Sequence, residues 1–237
     1  MLPALNETSN DQAKPAMLTG KACDLLLDYL ATHPDAAIRH CASNMMLSVV
    51  AGAACLVPPD ARSRCAGLFF LSNNTATNPP GTTSNGAVRV LCKTIRGVPA
   101  SAAEAETGGL FLNGKEAIPI VTALEEMGHE QPPAGTPLET DNSTAHDVPK
   151  AQVRMKRSKA FDARCHWLKD RIARSQFNLH WAPGKHNRAD CFTKHHPPSH
   201  HQTMRPNHLQ RLVANVSTTH MRGCVTPPDT PPEHVHV

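Results

Sequence analysis

Apolar and polar positions along the chain alternate in stretches with different periods, and the periods predict a succession of strands and helices. After a polar opening, Leu25, Leu26, Tyr29 and Leu30 fall on one side of a short helix over residues 21–30. Residues 37–42 and 45–50 read as two strands around the turn residues Ser43 and Asn44, and residues 66–71 form a third apolar run. The Asn/Thr/Pro/Gly-rich stretch 73–86 is a loop by composition, and the alternating stretch 87–95 follows it as a strand. Residues 101–127 have a helical pattern. Gly108, Gly109, Gly114 and Pro119 weaken it, and a break near Gly114 is expected.

Beyond a Pro-rich loop at 131–137, residues 138–141 are a short strand and 142–151 a short helix. The strongest helical pattern is 158–174, where Phe161, Cys165, Leu168 and Ile172 share a face and Lys159, Lys169, Arg171 and Arg174 face mostly outward. Phe177, Leu179 and Trp181 alternate with polar residues as a last strand, and a final helix is expected over 187–194. Three strands, a helix, a strand, a helix, a strand and a helix make an α/β domain with a mixed sheet. Domain limits follow: 1–18 a disordered N-terminus, 19–44 a connecting segment, 45–195 the folded domain, and 196–237 a disordered Pro/His-rich tail.

Composition adds three constraints. Aromatics are only 4% of the 237 residues, so the core rests on Leu, Val, Ile, Ala and Met. Eight cysteines include no C-x-x-C pair and sit in apolar segments, and no apolar run reaches the ~18 residues of a membrane span. An intracellular, reduced protein with no membrane partner is the expectation. The net charge of +4 conceals an asymmetry: residues 1–149 hold nine Lys/Arg against fifteen Asp/Glu, and residues 150–237 hold fifteen against five. An acidic half that holds cations beside a basic half that holds phosphate suits a nuclease, although such halves also occur in proteins that never meet nucleic acid.

Glu106, Asp141 and Asp190 each fall at a strand end or in the helix just beyond one, where an open α/β sheet presents ligands to a crevice. Converging carboxylates there bind hard divalent cations such as Mg²⁺. Read from spacing alone, each is better explained as a solvated or capping residue.

Five segments shift that balance. They are Asp60-Ala-Arg-Ser-Arg-Cys-Ala-Gly67-Leu-Phe-Phe-Leu71, Ser101-Ala-Ala-Glu104-Ala-Glu106, Thr140-Asp141-Asn142-Ser-Thr-Ala145, Arg157-Ser-Lys-Ala-Phe-Asp162 with Cys165-His166-Trp167, and Trp181-Ala-Pro183 through Ala189-Asp190-Cys-Phe-Thr193-Lys194. In this order across residues 45–195 they resemble the ribonuclease H domain of copia-type retrotransposon polyproteins. The segment 19–44 is similar to the stretch that joins polymerase to this domain in that family, and nothing in the chain resembles the polymerase itself.

The resemblance implies a ribonuclease H-like fold with a five-stranded mixed sheet flanked by helices. It implies hydrolysis of the RNA strand of RNA–DNA hybrids by two Mg²⁺ (or Mn²⁺) ions held by Asp, Glu, Asp and Asp. It also implies nucleic acid as the partner and, ancestrally, a reverse transcriptase domain in the same polyprotein. The Glu corresponds to Glu106 and the last two Asp to Asp141 and Asp190. Glu104 competes for the Glu position, but Ser101-x-x-Glu104 is a capping box that explains it structurally.

The first Asp is missing. The family places it in a Ser-Asp-Ala-(Ser or Asp)-aromatic motif, and here Ala51-Gly52-Ala53-Ala54-Cys55 stands instead, with Gly52 at the Asp position. Three readings stay open: an enzyme with a substitute for that Asp, a module that binds without cutting, and a relic with no selected role. For phosphate contact the candidates are Lys156, Arg157, Lys159 and Arg188, from the basic stretch 150–174 and the last motif; a solvated helix face explains the stretch equally well. His186, four residues before Asp190, is a weaker candidate as a proton shuttle. Trp167 and Trp181 read as core, His195, His196, His200 and His201 as a disordered tail, and Thr193 and Lys194 as caps of the last helix.

Overall fold

A computed structural model describes residues 2–14, 16–57, 61–73, 85–147, 149 and 159–211. Helices α1 (Leu2–Asn10) and α2 (Met17–Ala31) precede a two-residue strand β1 (Ala36–Ala37). Three long strands follow, β2 (Met46–Ala54), β3 (Arg64–Ser72) and β4 (Ala87–Thr94), then helix α3 (Ala102–Glu126). Strand β5 (Thr136–Thr140), helix α4 (Ser143–Asp147), helix α5 (Lys159–Ala173) and strand β6 (Phe177–Trp181) complete the body, and α6 (Pro198–Met204) and β7 (Gln210–Arg211) close the described chain.

The main sheet has the order β4-β3-β2-β5-β6. β2, β3 and β4 are an antiparallel meander, whereas β5 joins β2 in parallel and β6 joins β5 in parallel. This mixed five-stranded sheet flanked by helices is the ribonuclease H-like architecture that the sequence resemblance implied. β1 and β7 pair antiparallel in a separate two-stranded sheet.

Strand alternation divides the core in two. Leu47, Val49 and Ala51 of β2 point with Cys65 and Phe69 of β3 toward α3 and α5, where Leu110, Ala117 and Leu168 meet them. Val50, Ala66, Leu68 and Phe70 point to the opposite face, beneath Ala189 and Phe192. β3 is therefore buried on both faces, which is why 66–71 reads as an unbroken apolar run. Trp167 sits edge-on to Phe111 at 5.1 Å and near Phe177 at 6.0 Å, inside the core as expected. Trp181 differs: it is half exposed, and its indole N–H donates to the Asp141 carbonyl at 3.0 Å.

Helix α3 runs without the break expected near Gly114. Its glycines are where it comes closest to its neighbours. A Cβ on Gly109 would lie 3.3 Å from Cβ of Ala53, and one on Gly114 would press on Trp167 and Phe177 at 3.2 Å. Across from them, the carboxamide of Asn113 fills the space that a side chain on Gly67 would need. From there Asn113 Nδ2 donates to the carbonyls of Ala66 (3.0 Å) and Gly109 (2.9 Å), tying helix to sheet in a fully buried place.

Four further expectations change. Residues 2–10 are helical, within the stretch 1–18 expected to lack structure, and of the strand expected over 37–42 only Ala37 lies in one, the two-residue Ala36–Ala37. Within the helix expected over 187–194 only a 3₁₀ turn, Asp190–Phe192, forms, and another such turn, Gly184–His186, precedes it. Part of the expected tail is ordered, as α6, a further 3₁₀ turn and β7.

Candidate functional site

The local chemistry at the start of α3 sets the position of Glu106. Ser101 is extended at the N-cap, and its side chain accepts from the Glu104 amide at 3.2 Å. Glu104 turns back to accept the Ala100 amide at 2.7 Å, so it caps the helix and is not available to a site. Two residues further in, Glu106 is 7% exposed and points at β2, where Oε1 accepts from the Ala53 amide at 2.9 Å. Its other oxygen, Oε2, is buried without a partner. Burial, with the nearby charges of Asp141 and Asp190, pushes the Glu106 carboxyl up to about 8.

Asp141 follows β5, whose parallel pairing with β2 carries it to the same end of the sheet. Gly184 passes directly over it: a Cβ there would lie 2.9 Å from Asp141 Oδ2. Burial raises the Asp141 carboxyl, while a hydrogen bond from Asn187 opposes the shift. Asp190 opens the second 3₁₀ turn. Thr193 Oγ1 donates to its Oδ1 at 2.9 Å, and Lys194 Nζ lies 3.0 Å from its Oδ2. The three carboxylates are thus gathered at one end of the sheet, close enough for Asp141 and Asp190 each to act on Glu106.

Gly52 lies in β2 one residue before Ala53, the residue that Glu106 holds. A Cβ at Gly52 would meet Asn187 Nδ2 at 3.1 Å and Cβ of Ala189 at 3.6 Å, so a side chain needs Asn187 to yield by a few tenths of an ångström. Asn187 is buried, donates to the Ala51 carbonyl at 3.0 Å and accepts from the Ala189 amide at 2.9 Å. It ties the segment after β6 to the central strand.

A divalent ion does not fit these side chains as they stand. The unpartnered Oε2 of Glu106 is a place for a cation. However, among the described residues no three acidic, His or Cys groups come together at metal-binding range. Asp190 is already bonded to an ammonium and a hydroxyl, and position 52 has no oxygen to offer. The expectation that Glu106, Asp141 and Asp190 hold Mg²⁺ or Mn²⁺ is not met by this arrangement.

The four expected phosphate contacts fare differently. Lys156 and Arg157 lie outside the described residues, and Lys159 opens α5. Arg188 is half-buried, with Glu139 of β5 as its charge partner. Burial lifts the Glu139 carboxyl to about 7 against the pull of Arg188. Along α5, Arg171 and Arg174 both pair with Asp170, at 3.7 and 3.0 Å, and Arg164 donates to the Arg96 carbonyl at 3.2 Å. The basic face is therefore partly neutralised.

His186 is exposed, and the histidine that approaches Asp190 is His196, 4.0 Å from Oδ2 and stacked on His200 at 3.9 Å. From the sequence, Lys194 reads as a helix cap, His196 as part of a tail, and Asn187 has no role; Lys194 has a visible signal, four residues after Asp190 in the last motif.

No protein-family model and no curated protein sequence matches the chain. Among solved structures, the N-terminal RNase H domain of Rv2228c from Mycobacterium tuberculosis is similar over 63% of this chain and 91% of its own, at 12% identity and TM-score 0.43. LC11-RNase H1, isolated from compost by a metagenomic approach, is similar over 63% and 93%, at 10% identity and TM-score 0.45. The same LC11 protein in complex with an RNA/DNA hybrid is similar over 62% and 92%, at 13% identity and TM-score 0.38. At these values the likeness assigns no residue a role, and any functional reading rests on the sheet order and on the residues themselves.

Proposed function

We propose that this chain is a ribonuclease H-like nucleic-acid-binding domain descended from a copia-type retrotransposon polyprotein, and that its hydrolysis of RNA in RNA–DNA hybrids is impaired. One observation carries the reading. Gly52 sits on the central strand, next to the residue held by Glu106, where the resemblance requires a carboxylate. Glycine brings neither charge nor oxygen to that place. The five motifs retained in order support the ancestry. The apolar residues exposed on α2, among them Met17, Leu18, Leu25 and Leu27, suit a segment that once packed against a neighbouring polymerase domain.

The remaining carboxyl groups are poorly placed for cutting a backbone. Glu106 is neutral near pH 7, so it is a poor acceptor for a proton from water. Asp190 is occupied by Thr193 and Lys194, and Asp141 lies under Gly184. Hybrid recognition by shape and 2′-hydroxyl contact needs none of these carboxylates charged. A relic without a selected role shares this ancestry and differs only in lacking hybrid binding.

The test is cleavage of a labelled RNA–DNA hybrid by the purified chain with Mg²⁺ or Mn²⁺, beside Asp141→Asn. No cleavage by the folded chain is the expected outcome. Cleavage that disappears in Asp141→Asn would mean the site works without a carboxylate at position 52.

A further inference from the structure

The face of the sheet away from α3 floors a cavity. The bulge between Phe69 and Phe70 makes Val90 the partner of Leu68 and Ala87 the partner of Phe70, so both β4 residues lie on that face. Phe192 packs against the same cluster. Two separate pieces of chain complete the walls: Tyr29 and His33 of α2, and Met204, His208 and Leu209 from the end of α6 onward. The space between them is about 620 Å³, within the ~300–1,000 Å³ of small-molecule sites.

The walls offer few free polar groups, because most of their histidines are engaged. His208 Nε2 lies 3.3 Å from the Cys191 thiol, His196 Nε2 is 3.2 Å from the Asp190 carbonyl, and His33 Nδ1 is 3.0 Å from the Tyr29 carbonyl. Burial pushes the His208 imidazole down to about 4 and lowers that of His201, so both rings are neutral at pH 7. Arg205 is the only Lys or Arg on the walls, and among the described residues no Asp or Glu lines the cavity. A guanidinium on an apolar wall, with no acid beside it, favours a ligand with one negative charge. A second charge, or a positive one, would be desolvated there without a partner.

We propose that this cavity binds an apolar organic monoanion, with its body against Val90, Phe192 and Met204 and its head at Arg205. An acyl chain ending in a carboxylate and an aromatic ring bearing a sulfonate share this chemistry. The site does not depend on nucleic-acid binding by the domain.

The test titrates the full chain with anilinonaphthalene sulfonate and with its neutral parent, phenylnaphthylamine, read by fluorescence, with decanoate and decanol as competitors. Saturable binding of the sulfonate is expected, with decanoate displacing it better than decanol does. Arg205→Met is expected to weaken binding of the anions by about tenfold, the worth of a charge-assisted hydrogen bond, and to leave phenylnaphthylamine unchanged. Ala87→Trp fills the cavity and is expected to abolish binding of every probe. Sulfonate binding that depends on Arg205 but resists decanoate supports the site for an aromatic body in place of an acyl chain. A wild-type chain that unfolds cooperatively and binds neither anion overturns the proposal. So does sulfonate binding that survives in a folded Ala87→Trp chain, because the dye then lies elsewhere, and so do anion affinities unchanged in a folded Arg205→Met chain. Val90→Phe and Arg205→Gln replace either variant if it does not fold. Hybrid cleavage and hybrid binding are measured separately from all of these, so the two accounts fail separately.

Discussion

Glu106 shows how burial changes what a carboxyl group can do. One oxygen is satisfied by the Ala53 amide, the other has no partner, and the group holds its proton to about pH 8. Glu139 behaves alike, to about pH 7. In the unfolded chain both titrate near 4.5. Between that value and about 8 the folded state binds more protons than the unfolded one, so stability falls as pH rises through this window and levels off above it. Thermal unfolding across pH 4–9 checks this. Glu106→Gln keeps an acceptor for Ala53 and removes the ionisation; it is expected to raise the melting temperature at pH 8.5 and to change it little at pH 5. A fall at both pH values would contradict the burial argument. At this scale the sequence was informative about Glu106, Asp141 and Asp190, because each belongs to a motif with a fixed place relative to a strand. Lys194 was legible beside Asp190 as well, four residues on, but Asn187 was not, because its bond to the Ala51 carbonyl exists only once the segment after β6 is laid over β2.

Helix α3 is the element where local and tertiary preferences conflict most. Glycine inside a helix costs about 1 kcal/mol relative to alanine, and proline about 3. Gly108, Gly109, Gly114 and Pro119 on this scale argue for a break, and none occurs. The missing Cβ atoms let the helix approach β2 and β3 closely enough for Asn113 to bond both its own helix and the Ala66 carbonyl. The strands were easier to read: β3 was plain as an apolar run and β4 as an alternation. Close packing, by contrast, leaves no periodic signature, only glycines that look like defects. Gly67→Ala is expected to destabilise the domain by about 2 kcal/mol or more, since Asn113 occupies the space of the new methyl. Asn113→Ala removes two buried hydrogen bonds and is expected to cost about 1–3 kcal/mol. The two share one cause, so the double variant should be less destabilised than the sum of the singles in urea unfolding. Additive losses would mean that Asn113 and Gly67 do not depend on one another.

Over the whole molecule, the N-terminal helix and the end of the domain are joined through one buried cation. Arg64 of β3 is fully buried, and its Nη2 donates to Glu7 of α1 at 2.6 Å, while His195 Nε2 lies 2.9 Å from the same Glu7 oxygen. Partial burial works against the Glu7 charge, but the hydrogen bonds from Arg64 and His195 outweigh it and hold the carboxyl below its usual range. Glu7 thus contributes stability above about pH 4.5 that is lost as pH falls through its lower folded value, the opposite direction from Glu106. Glu7→Ala leaves Arg64 buried without its charge partner, and an expected loss of about 1–3 kcal/mol in urea unfolding at pH 7 checks the link. Nothing in the polar opening residues signalled this contact, because the partner lies 57 positions away and only the folded sheet brings the two together.

The central claim is a ribonuclease H-like domain that engages nucleic acid without cutting it. Fluorescence anisotropy of a labelled RNA–DNA hybrid titrated with the full chain tests it most directly, at two salt concentrations and in the presence and absence of Mg²⁺. The account predicts saturable binding that weakens with salt, as contacts to phosphate require, and that needs no Mg²⁺, with the RNA strand intact on a denaturing gel afterwards. A folded chain that leaves the anisotropy unchanged, or RNA recovered in fragments, would contradict it.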